Sequence, residues 1–451
     1  MKNLFRASAT AIACALLVPL TAAAADVDID YTEFTLDNGL RLVVHEDPKA
    51  PIVAVNIWYH VGSKNEEPGI TGFAHLFEHL MFNGSENYND EYFKPFERVG
   101  ATEMNGTTWF DRTNYFQNVP KTALDMALWM ESDRMGHLLG AVTQERLDEQ
   151  RGVVQNEKRQ GDNQPYGKSE YFLLDGVFPE GHPYSWSTIG SMEDLEAASL
   201  DDVREWFKTY YGPNNAVIVL AGDVDAQDAF EKVQHYFGDI PPGPPLDKPQ
   251  RWTVKLTEDR RDTLQDRVPQ ARLYVAWGAP SFREEDADLL QLANQVLTTG
   301  KSSRLFNRLV YTDQSATAVS GSQFAGEIAG YYQIIATAQP DGDLAAVEAA
   351  IDEEVERFLR DGPTARELAR ANTRLTSGVI RGLEKVGGFG GKSDVLARNA
   401  VYTGDPGFYQ VSLDRLETAS PEDVRDAARR WLGASTYRLE ILPYPELTAA
   451  E

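Results

Sequence analysis

The segment LEAASLDDVR at residues 195–204 returns as LETASPEDVR at 416–425, an offset of 221 in a chain of 451 residues. The copies stay in step beyond the match. EWFKTYYG ends at Gly212 and DAARRWLG ends at Gly433, and each is followed by an apolar run, AVIVLAGDV and YRLEILPYP. A shared helix start, glycine and strand at a single offset indicate one unit written twice. The stretch PPGPPLDKPQ, residues 241–250, can neither continue a helix nor sit in a central strand. It marks the seam, with an N-terminal domain at 26–240 and a C-terminal domain at 251–451.

Each copy mixes two periods. RLVVHED and IVAVNIWYHVG alternate like strands in the first copy, as do ARLYVAWGAP and GYYQIIATAQ in the second. Helical spacing covers 71–83, 121–139 and 143–160, then 285–299, 343–361 and 363–384. Strands and helices alternate irregularly. The expected fold class is therefore α+β: two duplicated α/β sandwich domains, each a mostly antiparallel sheet with helices packed on it.

The first 25 residues read as a signal peptide. Lys2 and Arg6 precede an apolar stretch, and Ala23 and Ala25 form a small-residue cleavage site. Cleavage is expected after Ala25, leaving a periplasmic or secreted mature chain. No later stretch reaches the roughly 18 uninterrupted apolar residues of a membrane span. The single cysteine, Cys14, lies inside the signal, with Ala11 where a lipoprotein signal would want a leucine-like residue. The mature chain has no thiol, so a bound metal must be held by His, Asp or Glu. The formal charge of −26 disfavours nucleic acid. It suits a basic peptide partner, or serves only solubility.

GFAHLFEHLMFNG, residues 72–84, holds two of only seven histidines. Thr71 is the expected N-cap, and Gly84 suits the position past the helix end. His75 and His79, four apart, fall on one helix face, where two neutral imidazoles can share one zinc ion. Glu78 lies beside them, free to take a proton from a water at the metal. Aligning Gly84 with Gly300 sets these three against Gln291, Asn294 and Gln295, so only the first copy can bind zinc. A catalytic zinc wants a third protein ligand. The best candidate helix is 143–161, where Val153, Val154 and Glu157 share a face while Glu145 and Glu149 look solvated. The helical pattern alone leaves the choice open.

His75-x-x-Glu78-His79, followed by RGVVQNE from Arg151 to Glu157, resembles the inverted-motif zinc peptidases, the pitrilysin and mitochondrial-processing-peptidase family. The resemblance spans essentially the whole mature chain, including the duplication and SSRLFNRL at 302–309. It implies one Zn2+ per chain held by His75, His79 and Glu157, with Glu78 as general base in peptide hydrolysis. It implies that 101–116 contains an edge strand whose Asn105 and Gly106 pair with the substrate backbone, although Asn105-Gly106 is also a hairpin-turn dipeptide. Where the family often has a second glutamate, this chain has Gln150, which can support the ligands by hydrogen bonding but supplies no charge. The substrate-gripping Arg and Tyr that often follow S-R-L-F fall on Val310 and Thr317, with Arg308 and Tyr311 out of register. A paralogous partner chain supplying that pair is therefore favoured over a homodimer, the two enclosing an unfolded peptide. The rival reading is a non-catalytic subunit of a peptidase-like assembly. The glycine-rich segment 387–391 reads either as a substrate-facing loop or as a plain helix connection; it is not a phosphate loop.

Overall fold

The computed structural model describes residues 28–445 except 249. The expected signal peptide lies outside the described residues. The first half forms β1 (Thr32–Thr35), β2 (Arg41–Glu46), β3 (Ile52–Tyr59), β4 (Thr102–Thr108), β5 (Thr113–Pro120) and β6 (Ala216–Gly222). The second forms β7 (Arg260–Asp266), β8 (Arg272–Ala279), β9 (Ala316–Ala325), β10 (Gly330–Ala338) and β11 (Tyr437–Pro443). The sheet orders are β1-β2-β6-β3-β5-β4 and β7-β11-β8-β10-β9. Leaving out β1, they match strand for strand. Each has one parallel pair, β2 with β6 and β7 with β11, and is otherwise antiparallel. The fold is α+β, with helices packed on two mainly antiparallel sheets.

Helices form where the apolar spacing predicts them: Phe73–Leu80, Leu124–Gly136, Gln144–Asp162, Glu285–Leu297, Leu344–Asp361 and Ala365–Gly382. On one face of the first sheet, Val53, Val55, Ile57, Ile218 and Leu220 pack with Phe73, Leu76, Leu80, Leu147 and Val154 in a single core. The second sheet has a corresponding core, in which Leu273, Val275 and Trp277 meet Leu289, Leu292 and Val296.

The opposite faces are covered by exchange. Helix Lys392–Thr403, from the second half, lays Val395, Leu396 and Ala400 against Val43, Trp58, Val217 and Val219 of the first sheet. Helix Ser169–Val177, from the first half, lays Leu173, Leu174 and Val177 against Tyr274, Ala276, Leu439 and Ile441 of the second. This corrects the alternating pattern read for the central strands. A strand covered on both faces has no solvent side, so it reads as an apolar run, and all of AVIVLAG in β6 is buried.

Polar groups also tie the halves together. The Lys64 ammonium donates to Asp111 Oδ1 at 3.1 Å and to the Glu327 carboxylate. Asp111 also accepts from Tyr184 Oη at 2.5 Å and from the Glu327 amide at 2.9 Å, and His60 Nε2 lies 2.6 Å from Glu327 Oε2. Residues 241–248 carry neither helix nor strand. Asn214 holds them at Gly243, accepting its N–H at 2.7 Å.

Candidate metal centre

Helix Phe73–Leu80 turns its apolar side chains into the first core and leaves His75 and His79 partly exposed on the other face. Thr71 is not its cap. The N-cap is Gly72, at φ +84°, a left-handed conformation that glycine adopts without strain. The free amides of the first turn are met from outside the helix, because Glu66 accepts from Gly72 N at 3.1 Å and from Ala74 N at 2.8 Å. Burial pushes the Glu66 carboxyl up to about 8, against the pull of those amides and of the Trp186 indole, which donates at 3.0 Å. Thr71 instead donates its backbone N–H and its hydroxyl to Asp194, at 2.9 and 2.5 Å.

Glu157 arrives on helix Gln144–Asp162, whose N-cap is Thr143. Leu147 and Val154 bury that helix in the first core, and Glu157 follows Val154 by three residues on the same side. Arg151 locks the helix in place by donating to the carbonyls of Leu195 at 2.9 Å and Ala198 at 2.7 Å. Glu157 Oε2 then lies 3.7 Å from His75 Nε2 and 3.5 Å from His79 Nε2, and the two imidazole nitrogens are 3.3 Å apart. Among the described residues these three form the one cluster of His, Cys, Asp and Glu atoms close enough to share an ion.

The chemistry of this donor set fits zinc. Ligand atoms about 2.0–2.1 Å from one tetrahedral zinc lie about 3.3–3.4 Å apart, and the observed triangle departs from that by a few tenths of an ångström. Burial, with the His79 ring beside it, pushes the His75 imidazole down to about 4. The ring is therefore neutral near pH 7, as a ligand nitrogen must be.

Glu78, three residues after His75 on the same helix, lies beside the two histidines and is 7 % exposed. Thr108 Oγ1 on β4 donates to its Oε2 at 2.7 Å. Burial pushes the Glu78 carboxyl up to about 7, with the Thr108 hydroxyl and the Arg112 charge pulling the other way. Thr108 carried no signal in the sequence beyond its place in the expected edge strand.

Asn105 and Gly106 lie inside β4, an edge strand, and not in a turn. Gly106 is required there, because a Cβ would sit 2.6 Å from Phe82 Cζ. Gln150 is partly buried two turns before Glu157 and makes no hydrogen bond to the three clustered residues. In the second half Asn294, at the position of Glu78, is bonded to the Gly321 carbonyl of β9 at 3.2 Å, to Thr298 and to Tyr332. Val310 packs against the second core and Thr317 lies in β9. Arg308 is held by Asp313 at 2.5 Å and Glu353 at 3.0 Å, and Tyr311 is exposed.

The family description "Insulinase (Peptidase family M16)" matches residues 41–174, and "Peptidase M16 inactive domain" matches 197–375. The chain belongs to the M16, or pitrilysin, peptidase family. The inactive-domain match falls mainly on the half that has amides in place of the histidines. Zinc protease PqqE of Helicobacter pylori is 29% identical over 380 residues, covering 82% of this chain and 84% of that protein. Uncharacterized zinc protease YmxG of Bacillus subtilis is 26% identical, covering 91% of this chain and 97% of its own length. The crystal structure of a protease from Helicobacter pylori matches with a TM-score of 0.84 at 26% identity, over 92% of this chain and 99% of that one. The periplasmic protease PqqL of Escherichia coli shares the fold, with a TM-score of 0.73 at 19% identity, and the match covers 95% of this chain but 49% of PqqL. Among the described residues no helix is long and apolar enough to cross a membrane.

Proposed function

We propose that this M16 protein is an exported zinc-dependent endopeptidase that hydrolyses short or unfolded peptides in a closed chamber. The observation that carries the reading is the triangle of His75, His79 and Glu157 beside the buried carboxyl of Glu78. Zinc held by those three residues would supply Lewis-acid chemistry, polarising a carbonyl and acidifying a water. Glu78 takes the proton from the attacking water and returns it to the leaving amine. A carboxyl whose pKa lies near the working pH can do both, and Thr108 fixes its orientation. The outer edge of β4, at Asn105 and Gly106, receives the substrate as an added strand.

This reading includes a related partner chain. Val310 and Thr317 cannot grip a substrate, and Arg308 is engaged elsewhere. The match to about half of PqqL agrees with an assembly of two such units. The mature enzyme is placed in the periplasm or outside the cell.

The test is elemental analysis and a quenched-peptide assay on the mature chain, alone and co-expressed with a paralog. One zinc per chain is expected, with activity that depends on the paralog. Glu78→Gln should keep the zinc and lower cleavage by about 10²–10⁴-fold. Unchanged cleavage would remove Glu78 from the mechanism. An inactive wild type with its paralog present would favour the non-catalytic subunit, and full activity of the chain alone would remove the partner.

A further inference from the structure

The glycine-rich segment has no part in the chemistry above, yet it is a built structure on the first sheet. It leaves helix Ala365–Gly382 and crosses the sheet face opposite the metal centre. Gly387 lies so close that a Cβ would be 2.0 Å from Asn118 Oδ1 on β5 and 2.7 Å from Ala54 Cβ on β3. A Cβ on Gly388 would be 2.6 Å from Glu103 Oε2 on β4. Gly388 and Gly390 are left-handed, at φ +71° and +68°. Gly391 N–H donates to the Gly388 carbonyl at 3.2 Å, and Gly390 N–H donates to Asp394 Oδ2 at 2.9 Å. At the base of the loop Lys392 N–H and Ser393 N–H bond the carbonyls of Lys385 and Val386. Lys392 Nζ is anchored to Asp47 Oδ2 at 2.6 Å.

The device holds out one large side chain. Phe389 sits between the two left-handed glycines, 58 % exposed, with its ring edge-on to Phe116 at 5.1 Å. Phe116 pairs in register with Asn105 on β4. Residues directly opposite on neighbouring strands share a face. A peptide added outside β4 therefore puts the residue opposite Asn105 on this same face, about 4.8 Å further out. Asn105 is short, and a bulky side chain can reach across it to Phe389.

The contact between Glu78 and Thr108 puts the chemistry near the far end of β4. Asn105 is three residues away, about 10 Å along a strand. A peptide running antiparallel to β4 reaches Asn105 on the carboxyl side of the cut bond. Resting on the peptidase reading, we infer that Phe389, braced by the buried Phe116, forms a specificity subsite for a bulky apolar or aromatic substrate side chain, about three residues to the carboxyl side of the cut.

Paired quenched peptides differing only at that position, Phe against Gly, test this in wild type, Phe389→Ala and Phe389→Leu, each co-expressed with the paralog. Wild type should favour the Phe peptide by about tenfold in kcat/KM, a typical reach for one apolar pocket. Phe389→Ala should bring the ratio to within about twofold, and Phe389→Leu should keep most of it. The same peptides, labelled and titrated against Glu78→Gln with and without Phe389→Ala, should show the same loss of discrimination in Kd. Cleavage whose ratio is untouched by Phe389→Ala would overturn the subsite and leave the peptidase reading standing. A wild type that, with its paralog present, neither cuts nor binds either peptide would overturn both.

Discussion

Replacing Lys64 by Met removes the cation from the buried junction of the two halves and keeps the length of the side chain. Lys64, Asp111 and Glu327 are 3, 0 and 13 % exposed at the side chain. At an effective dielectric of about 20, a charge pair 3.1 Å apart attracts by about 5 kcal/mol before desolvation is counted. Removing one partner of a buried pair typically costs about 3–5 kcal/mol. Asp111 keeps Tyr184 and the Glu327 amide, and Glu327 keeps His60, so the lower end is expected, about 3 kcal/mol. Urea unfolding of the mature chain at pH 7, followed by fluorescence, measures it. Adding Glu327→Gln to Lys64→Met should recover about 1 kcal/mol or more, because one stranded anion is then neutral.

The acid limb gives an independent reading. Burial pushes the Glu327 carboxyl up, but the His60 ring and the Lys64 ammonium outweigh it and hold it below the usual range. A carboxyl lowered by folding stabilises above its unfolded pKa of about 4, and that contribution is lost as pH falls through the folded value. Lys64→Met should therefore flatten the fall in stability below about pH 4. A loss under about 1 kcal/mol at pH 7, or no relief from Glu327→Gln, would refute the reasoning.

Two further perturbations probe the supports of the site. Gly106→Ala drives a Cβ to 2.6 Å from Phe82 and should cost about 1–3 kcal/mol by thermal or urea unfolding; a neutral result would mean that β4 is free to shift off Phe82. Asp47→Asn breaks the anchor of the glycine-rich loop. The hydrogen bond from Lys392 holds Asp47 down at about 2 in spite of its burial, so the variant should lose about 1–2 kcal/mol at pH 7. That difference should narrow as pH falls from about 4 towards 2, and a gap independent of pH would point to lost packing instead.

The histidine helix was legible because its chemistry is local: two imidazoles one turn apart need only a helix to meet. Glu157 was not legible that way. The apolar period says which side of its helix is buried at Val154, but Glu157 stays 43 % exposed at the side chain, and the resemblance rather than the period selected it. Thr71 looked like a cap because capping is usually local, whereas here Glu66 reaches the first-turn amides from the preceding loop. The duplication predicted matching sheets, and the two strand orders match. AVIVLAG is an unbroken apolar run, as a strand covered on both faces requires, whereas IVAVNIWY reads as alternating and hides its second cover. What no period could assign was the helix providing it, because Lys392–Thr403 is separated from β6 by some 170 residues of chain.

That loan of helices in both directions means that the seam in the sequence is not a hinge in the molecule. Swinging the sheets apart would strip Leu396 from Val219 and Leu174 from Ile441 at the same moment, exposing two apolar floors to water. The proline-rich stretch carries the chain across but bears none of the load that keeps the halves together. If a peptide enters a chamber as proposed, the opening is therefore expected along an outer rim and not at this seam.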